Sequence, residues 1–187
     1  MRTSIRPIPL TAAVAVHATA LGPLTLAATD EALVLCAFTP PETGAGRALR
    51  ADLRPVEEAE ATAAQRRVLD GARTQLDAYL SGRRRDFTVP TDLRLATPFS
   101  RRTVSILEEF VPYGRTMTYA RLAEVLDRPR AARAVGTALG TNPLCVVLPC
   151  HRVVGSTGSL SGYAGGLEAK RFLLDLEAAH PAARPPL

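Results

Sequence analysis

The chain has 187 residues, 47% hydrophobic and 22% charged, and this composition is typical of a folded globular protein rather than a disordered one. Its net charge is +5, and all but one of its 23 basic residues are arginine, whose planar guanidinium suits phosphates and bases. The composition therefore permits a nucleic-acid partner, and no apolar run is long enough to cross a membrane.

The N-terminal part is predicted to form a small antiparallel sheet. Residues 12–38 contain three strand-like runs separated by turns at Gly22-Pro23 and Asp30-Glu31. Residues 39–56, rich in Pro, Gly and Arg, are predicted to be a loop.

A secretory signal is the alternative for the first residues, because Arg2 and Arg6 precede a short apolar run. Pro7, Pro9 and His17 interrupt that run, and the sequence continues in a strand-like pattern, which favours a first strand. The three cysteines, an odd number without a CxxC pair, argue against a disulfide framework and for a reducing compartment. These features predict a cytoplasmic protein.

A helix and a linker follow the sheet. Residues 57–80 have a helical pattern with a stop at Gly82. Residues 81–98 have two prolines and no helical period, which predicts an extended linker between two domains. The apolar face of the helix consists of Leu69, Ala72, Leu76, Tyr79 and Leu80.

Two short helices beyond the linker are predicted to form a helix-turn-helix. The pattern is helical from Phe99 to about Phe110, Thr118 can cap a short helix, and Pro129 opens a second one that carries Arg133. An ordinary helical hairpin with a solvated basic face fits the same pattern. The predicted inner face of the second helix consists of Ala131, Ala134, Val135, Ala138 and Leu139.

Cys150 is the candidate nucleophile. Residues 144–148 form an apolar run predicted to be a buried strand, which Pro149 ends. His151 and Arg152 follow and can supply a proton acceptor and a positive field, which a thiol needs to become a thiolate. A buried, unreactive thiol is the alternative for Cys150 and the favoured interpretation for the other two cysteines.

The C-terminal helix offers a carboxylate that could complete this site. Lys170 and Glu177 share a helical face with two leucines. If this face points inward, Glu177 can orient His151 in a Cys-His-Glu relay like that of hydrolase triads. A solvated, outward-facing arrangement fits the same spacing.

Three motifs around these residues resemble the O6-alkylguanine-DNA alkyltransferase family. They are ARAVGTALGTNP at 132–143, PCHRV at 149–153 and GYAGGLEAKRFLLDLE at 162–177. The segments GPLTLAATDEALVLCAF and FTVPTDLRLATPF resemble the same family more weakly.

The resemblance implies an α+β fold in two domains. Residues 1–95 would be a ribonuclease H-like α/β domain with a small antiparallel sheet, ending in the linker at about 81–98. Residues 96–180 would be a mostly helical, winged-helix-like helix-turn-helix domain for DNA binding and alkyl transfer, and residues 181–187 a tail.

The implied function is DNA repair by irreversible transfer of an alkyl group, preferably methyl, from O6-alkylguanine to Cys150. O4-alkylthymine is a possible second substrate. The partner would be duplex DNA, bound through the minor groove with the damaged base flipped out, and the protein would be a monomer that can bind DNA cooperatively. The resemblance implies no cofactor, no metal and no membrane association.

The resemblance also implies roles for individual residues. The catalytic set is Cys150, His151, Glu177, Tyr119, Asn142 and Lys170. The DNA-binding set is Arg133, Tyr119, Ser100, Arg128, Ala132, Gly136, Leu139 and Ser156. The substrate pocket is lined by Val153, Tyr163, Ala164, Gly165 and Cys145. Arg128, Leu139 and Cys145 depart from the residues usual in the family.

Three other functions remain open from the sequence. One is a module that binds alkylated DNA without chemistry, although such relatives lack the cysteine. Another is a thiol hydrolase using the same Cys-His-Glu set. The third is a metal or redox site built from Cys145, Cys150 and His151.

Overall fold

The computed structural model describes residues 10–180, and its N-terminal half is built on a four-stranded sheet. The strands are β1 (Thr11–Thr19), β2 (Gly22–Ala28), β3 (Leu33–Ala37) and β4 (Arg54–Glu57), in the order β3-β2-β1-β4. The first three strands pair antiparallel, as predicted, and β4 pairs parallel to β1. Because Thr11–Thr19 is a paired strand, it accounts for the apolar run that imitates a signal peptide; residues 1–9 lie outside the described residues.

The predicted loop at 39–56 is wrong, because this segment contains helix α1 (Pro41–Arg50) and strand β4. Proline at the first helical position is compatible with a helix start, where its missing N–H costs nothing. Gly44 lowers the helical propensity of the segment, yet a Cβ there would lie 2.8 Å from Leu35 and 3.0 Å from Thr25. Gly44 therefore makes the helix hard to predict from the sequence, and it also allows α1 to pack closely on the sheet.

Helix α2 (Ala63–Leu80) covers the other face of the sheet. Thr62 and Gln65 form a capping box at its start, which satisfies two otherwise unpaired backbone N–H groups. The predicted apolar face is buried along its whole length. Each fully buried leucine contributes about 1.5–3 kcal/mol of transfer free energy, so this face holds the helix in place.

The linker is extended, as predicted, but it is not independent of the sheet. The backbone N–H of Leu33 donates to the carbonyl of Pro90, and the N–H of Asp92 donates to the carbonyl of Leu33. These bonds place the segment along the free edge of β3. The predicted tail at 181–187 lies outside the described residues.

The C-terminal half is mostly helical, which confirms the α+β fold. Its elements are α3 (Pro98–Ser105), α4 (Leu107–Phe110), β5 (Met117–Thr118), α5 (Tyr119–Val125), α6 (Ala132–Gly140), β6 (Val153–Val154) and α7 (Gly166–Ala179). Strands β5 and β6 pair parallel, and α5 packs on α6 as in a helix-turn-helix. Thr118 caps α5 as predicted, with its hydroxyl accepting from Arg121 N.

Two details of helix α6 differ from the prediction. It begins at Ala132 rather than at Pro129, because residues 129 and 130 form a turn. Ala134 is exposed, whereas Val135, Ala138 and Leu139 face inward. The helical face is therefore narrower than the run of small residues suggested.

The two halves share one continuous core. The N–H of Cys36 donates to the carbonyl of Pro143, and the N–H of Cys145 donates to the carbonyl of Cys36, both at 2.7 Å. The largest cluster of buried residues runs from β1 through α2 to α7. Within residues 10–180, no helix is both long and apolar enough to span a membrane.

Candidate active site

Cys150 lies in the first position of a short 3-10 helix, Cys150–Arg152, and not at the end of a strand. Residues 144–148 are buried as expected, but apart from one bridge at Leu144 they form turns, with Val146 at φ 70°. The predicted strand is therefore wrong. The sequence showed the apolarity of this run, and the family resemblance named Asn142 as a catalytic residue, but neither predicted that Asn142 folds the segment.

Asn142 folds this segment around its own side chain. The amide Nδ2 donates to the carbonyls of Leu144 and Leu148, and Oδ1 accepts from the N–H of Leu144. The same Nδ2 lies 3.2 Å from Sγ of Cys150. Asn142 thus fixes the backbone before the nucleophile and also donates to its sulfur.

Glu177 of α7 is buried at the centre of a cluster of hydrogen-bond donors. Oε1 lies 2.6 Å from Nε2 of His151 and accepts the hydroxyl of Tyr79. Oε2 accepts from the N–H of Gly114 at 2.8 Å and from Nε of Arg152 at 2.9 Å. The inward-facing alternative for Glu177 is therefore the observed one, and Lys170 on the same face is also fully buried.

These contacts decide the charge of the carboxylate and of the imidazole. Burial opposes ionisation of Glu177, but the hydrogen bond and charge of His151, together with Arg152, lower its pKa to about 2. Burial also lowers the pKa of His151 below its usual 6.5, despite the carboxylate beside it. Because ionised Glu177 can only accept at Nε2, the neutral imidazole carries its proton there and leaves Nδ1 as a base.

Nδ1 of His151 is buried and has no hydrogen-bond partner among the atoms of residues 10–180. The ring of Tyr163 stands edge-on to the imidazole, with the ring centroids 6.4 Å apart. A neutral imidazole with a free lone pair, on the residue that follows the nucleophile, is a group that can accept the proton of a thiol.

The sulfur of Cys150 is in an environment that favours the thiolate. The neighbouring Cys145 thiol, the Asn142 amide and the positive charge of Lys170 lower the pKa of Cys150 against the effect of burial. The Cys145 thiol itself donates to the carbonyl of Asn142 at 3.6 Å. The pKa of Cys145 is raised, first by the neighbouring Cys150 sulfur and then by burial. Cys36 is fully buried, and burial raises its pKa to about 12. Of the three thiols, Cys150 is thus the one poised to react.

Lys170 and Tyr119 form one wall of the site. Nζ of Lys170 donates to the carbonyls of Val153 and Ser161, and burial lowers the pKa of this amine. The ammonium lies 5.7 Å from the ring centroid of Tyr119, whose hydroxyl donates to the same Ser161 carbonyl at 3.1 Å. These bonds tie α7 and the start of α5 to the loop before α7.

A groove of about 550 Å³ opens beside this wall, beneath the second helix of the helix-turn-helix. It is lined by Tyr119, Ala132, Arg133, Gly136, Gly140, Ser161, Gly162, Tyr163 and Ala164. A flat aromatic base fits such a groove, which has small residues on the helix side and tyrosine rings beside them. Cys150 does not line the groove itself and is 5% exposed, with Tyr163 linking the groove to the His151 ring.

Among the other predicted pocket residues, Val153 is fully buried in β6, and Ala164 is exposed at the groove. Gly165 lies against the N-terminal half, where a Cβ would come within 2.6 Å of the Phe38 ring. Phe38 also packs edge-on against Tyr163. The loop that forms the groove therefore rests on a side chain of the N-terminal half.

Two residues predicted to contact DNA have buried side chains in the free protein. The hydroxyl of Ser100 is buried and donates to the carbonyl of Ala138 at 2.8 Å, so it joins α3 to α6. Leu139 is 6% exposed and belongs to the core. Arg128, Arg133 and Ser156 are exposed, as contact with DNA requires.

Sequence reasoning missed Tyr79 and Gly114, which both donate to Glu177. Tyr79 lies 98 residues before Glu177, and its position on an apolar helical face predicts a core role only. Gly114 belongs to a turn with φ 75°, for which the Pro-Tyr-Gly sequence is a signal, but nothing in that signal points to a carboxylate. Within the described residues, no group of three or more His, Cys, Asp and Glu side chains is placed to hold a metal ion.

Together, the fold and the site define a helix-turn-helix protein with an activated cysteine beside a groove for a planar ligand. Two family models match the chain: "6-O-methylguanine DNA methyltransferase, ribonuclease-like domain" over residues 14–93, and the DNA binding domain of the same protein over residues 98–179. The chain therefore belongs to the 6-O-methylguanine-DNA methyltransferase family.

Individual relatives agree with this assignment. The chain is 47% identical over 117 residues to the methylated-DNA–protein-cysteine methyltransferase of Mycolicibacterium paratuberculosis, an alignment covering 63% of this chain and 70% of the relative. It is 47% identical to the inducible enzyme of Bacillus subtilis, over 55% of this chain and 56% of the relative. The crystal structure of Mycobacterium tuberculosis O6-methylguanine methyltransferase superposes with a TM-score of 0.71 at 36% identity, covering 93% of this chain and 96% of that one. A structure of the Mycobacterium tuberculosis protein in complex with DNA also superposes with a TM-score of 0.71, at 34% identity and over 91% of this chain and 96% of that one.

Proposed function

We propose that the protein repairs DNA by moving the alkyl group of O6-alkylguanine, methyl above all, onto Cys150 and keeping it there. The observation that carries the proposal is the cluster in which Asn142 donates to the Cys150 sulfur while Glu177 orients the adjacent His151. This activated thiol lies in a protein whose relatives are methylated-DNA–protein-cysteine methyltransferases.

The chemistry is a single displacement. His151 takes the thiol proton at Nδ1, through a water molecule, and the Cys150 thiolate attacks the alkyl carbon. The new S–C bond forms as the C–O6 bond breaks, and guanine receives the electron pair and a proton, with the Tyr119 hydroxyl as its donor. A thioether is a poor leaving group, so the protein is consumed after one transfer.

Binding of duplex DNA is assigned to α6 and the groove beneath it. A relative of the same fold forms a complex with DNA. The small side chains of Ala132 and Gly136 permit close approach of a sugar-phosphate backbone, and exposed Arg133 can fill the gap left by a flipped base. All of these residues and the catalytic cluster come from one chain, which supports a monomer as the working unit.

Stoichiometry tests the proposed function. When the protein is mixed with excess duplex containing O6-methylguanine, we expect one guanine to be restored per protein molecule, followed by a stop. Continued turnover of an ester substrate would instead indicate a thiol hydrolase. Persistent binding of the duplex with neither repair nor modification of the protein would indicate a lesion-binding module.

The Arg133→Ala variant should separate DNA handling from thiol chemistry. We expect transfer from the duplex to slow by about tenfold or more, because no side chain then fills the gap that the flipped base leaves in the duplex. The rate at which Cys150 reacts with iodoacetamide should not change. Arg67→Ala, an exposed arginine on α2, is the matched control and should leave both rates intact. Equal losses in both reactions of Arg133→Ala would contradict the role assigned to Arg133.

A further inference from the structure

A residue of the N-terminal half reaches into the catalytic cluster. Tyr79, near the end of α2, is 1% exposed, and its hydroxyl donates to Oε1 of Glu177. Its ring centroid lies 5.0 Å from that of Phe87, and 5.9 Å from that of Tyr113, which it meets edge-on. These contacts hold the buried side chain where its hydroxyl reaches the carboxylate.

The two oxygens of Glu177 have different partners. Oε2 is held by Gly114 N–H and by Arg152, which fix the plane of the carboxylate. Oε1 is shared by Tyr79 and by Nε2 of His151, with Arg152 at a longer 3.1 Å. Tyr79 and His151 thus compete for electron density on the same atom.

We propose that Tyr79 is a positioning residue, whose hydroxyl holds Oε1 of Glu177 against His151 and limits how strongly that oxygen attracts a proton to the imidazole. This inference rests on the proposed function, because it requires His151 to act as the base. It gives the N-terminal half a direct part in the chemistry.

The hydroxyl of Tyr79 stays protonated throughout the working range. Burial and the negative charge of Glu177 raise the pKa of Tyr79 far above its usual value. It is consequently a permanent neutral donor and does not itself titrate with the site. The side chains facing His151 are Glu177 and Lys170 from α7, Arg152 from the same 3-10 helix and Tyr163 from the loop before α7.

Removal of the Tyr79 hydroxyl should raise the pKa of His151. Without the Tyr79 hydroxyl, Oε1 interacts more strongly with Nε2–H of His151, which stabilises the imidazolium and raises the pKa of His151. Transfer needs the neutral imidazole, so the acid limb of the rate against pH moves to higher pH.

The test measures single-turnover methyl transfer from duplex DNA as a function of pH for Tyr79→Phe. We expect the acid limb to shift upward by about 0.5–1 pH unit, a fraction of what a hydrogen bond to a charged group is worth. Tyr113→Phe is the matched control, because the hydroxyl of Tyr113 is also buried near the cluster but has no partner among residues 10–180. Its acid limb should superpose on that of the wild type. A Tyr79→Phe profile that coincides with both would overturn the inference and leave the proposed function intact.

A second measurement covers the case in which Tyr79→Phe does not fold. Site-specific 3-fluorotyrosine at position 79 keeps the ring and the bond but makes the hydroxyl a stronger donor, so the acid limb should shift to lower pH. An unchanged or upward shift would overturn the inference. If the wild type accepts no methyl group at any pH, the proposed function fails and the inference fails with it.

Discussion

Cys150→Ala is expected to abolish alkyl transfer completely, because no other thiol in the described structure can take over its role. Cys36 is fully buried, and burial raises its pKa to about 12, so it stays protonated. Cys145 is 1% exposed, and its pKa is also raised. The variant should still bind O6-methylguanine duplex, because none of the residues lining the groove is altered.

Cys36→Ala is the matched control for this loss. It removes a buried thiol from β3 without touching Asn142, His151 or Glu177, and it should retain one transfer per molecule. Residual transfer in Cys150→Ala, measured as radiolabelled methyl bound to protein, would mean that the nucleophile has been misassigned.

Glu177→Gln is expected to lower the free energy of unfolding by about 3–5 kcal/mol, the range for breaking a buried ion pair by removing one partner. Arg152 is 5% exposed, and its Nε–H would then face a neutral amide. Transfer should also fall sharply, because the amide has one donor and one acceptor in place of a carboxylate that only accepts, so it no longer enforces the tautomer of His151. Urea unfolding at neutral pH measures the change in stability, and Asp175→Asn, an exposed substitution on the same helix, is the control.

Glu177→Gln should also change how the free energy of unfolding depends on pH. In the wild type, the folded state resists protonation of His151, whose pKa is lowered, so stability should begin to fall as the pH drops below about 6.5. Glu177 adds a further loss between its ordinary 4.5 and about 2, because the unfolded state takes up that proton first. Glu177→Gln should make this second loss smaller, and what remains comes from Glu58 and Asp92, whose pKa values are also lowered. A second loss of the same size in Glu177→Gln and in the wild type would mean that Glu177 is not the main stabilising carboxylate.

The sequence predicted those helices that bury one face against the core or that begin with a capping residue next to them in the chain. The stripe on α2 and the Thr118 cap of α5 are examples, since both depend on spacing within one element. Helix α1 could not be predicted, because Gly44 is selected by the sheet beneath it and not by helical propensity. The strand predicted at 144–148 was wrong for a related reason. The Asn142 side chain makes the hydrogen bonds to this segment that a neighbouring strand would otherwise make.

Within the site, too, residues that adjoin in the sequence could be predicted, whereas those brought together by packing could not. Cys150, His151 and Arg152 adjoin one another, so their chemistry is visible in the sequence. The direction of the Glu177 face depends on which side of α7 meets the core, and spacing alone left two alternatives. Tyr79 could not have been found, because its partner is brought to it by the packing of two halves of the chain.

The most direct test of the thiolate mechanism is to locate the methyl group after the wild-type protein has met O6-methylguanine duplex. Intact mass followed by fragmentation of the peptide at 134–152, which holds both Cys145 and Cys150, should show one added methylene per chain, on the sulfur of Cys150. A protein of unchanged mass, or a methyl group on Cys145 or Cys36, would contradict the account.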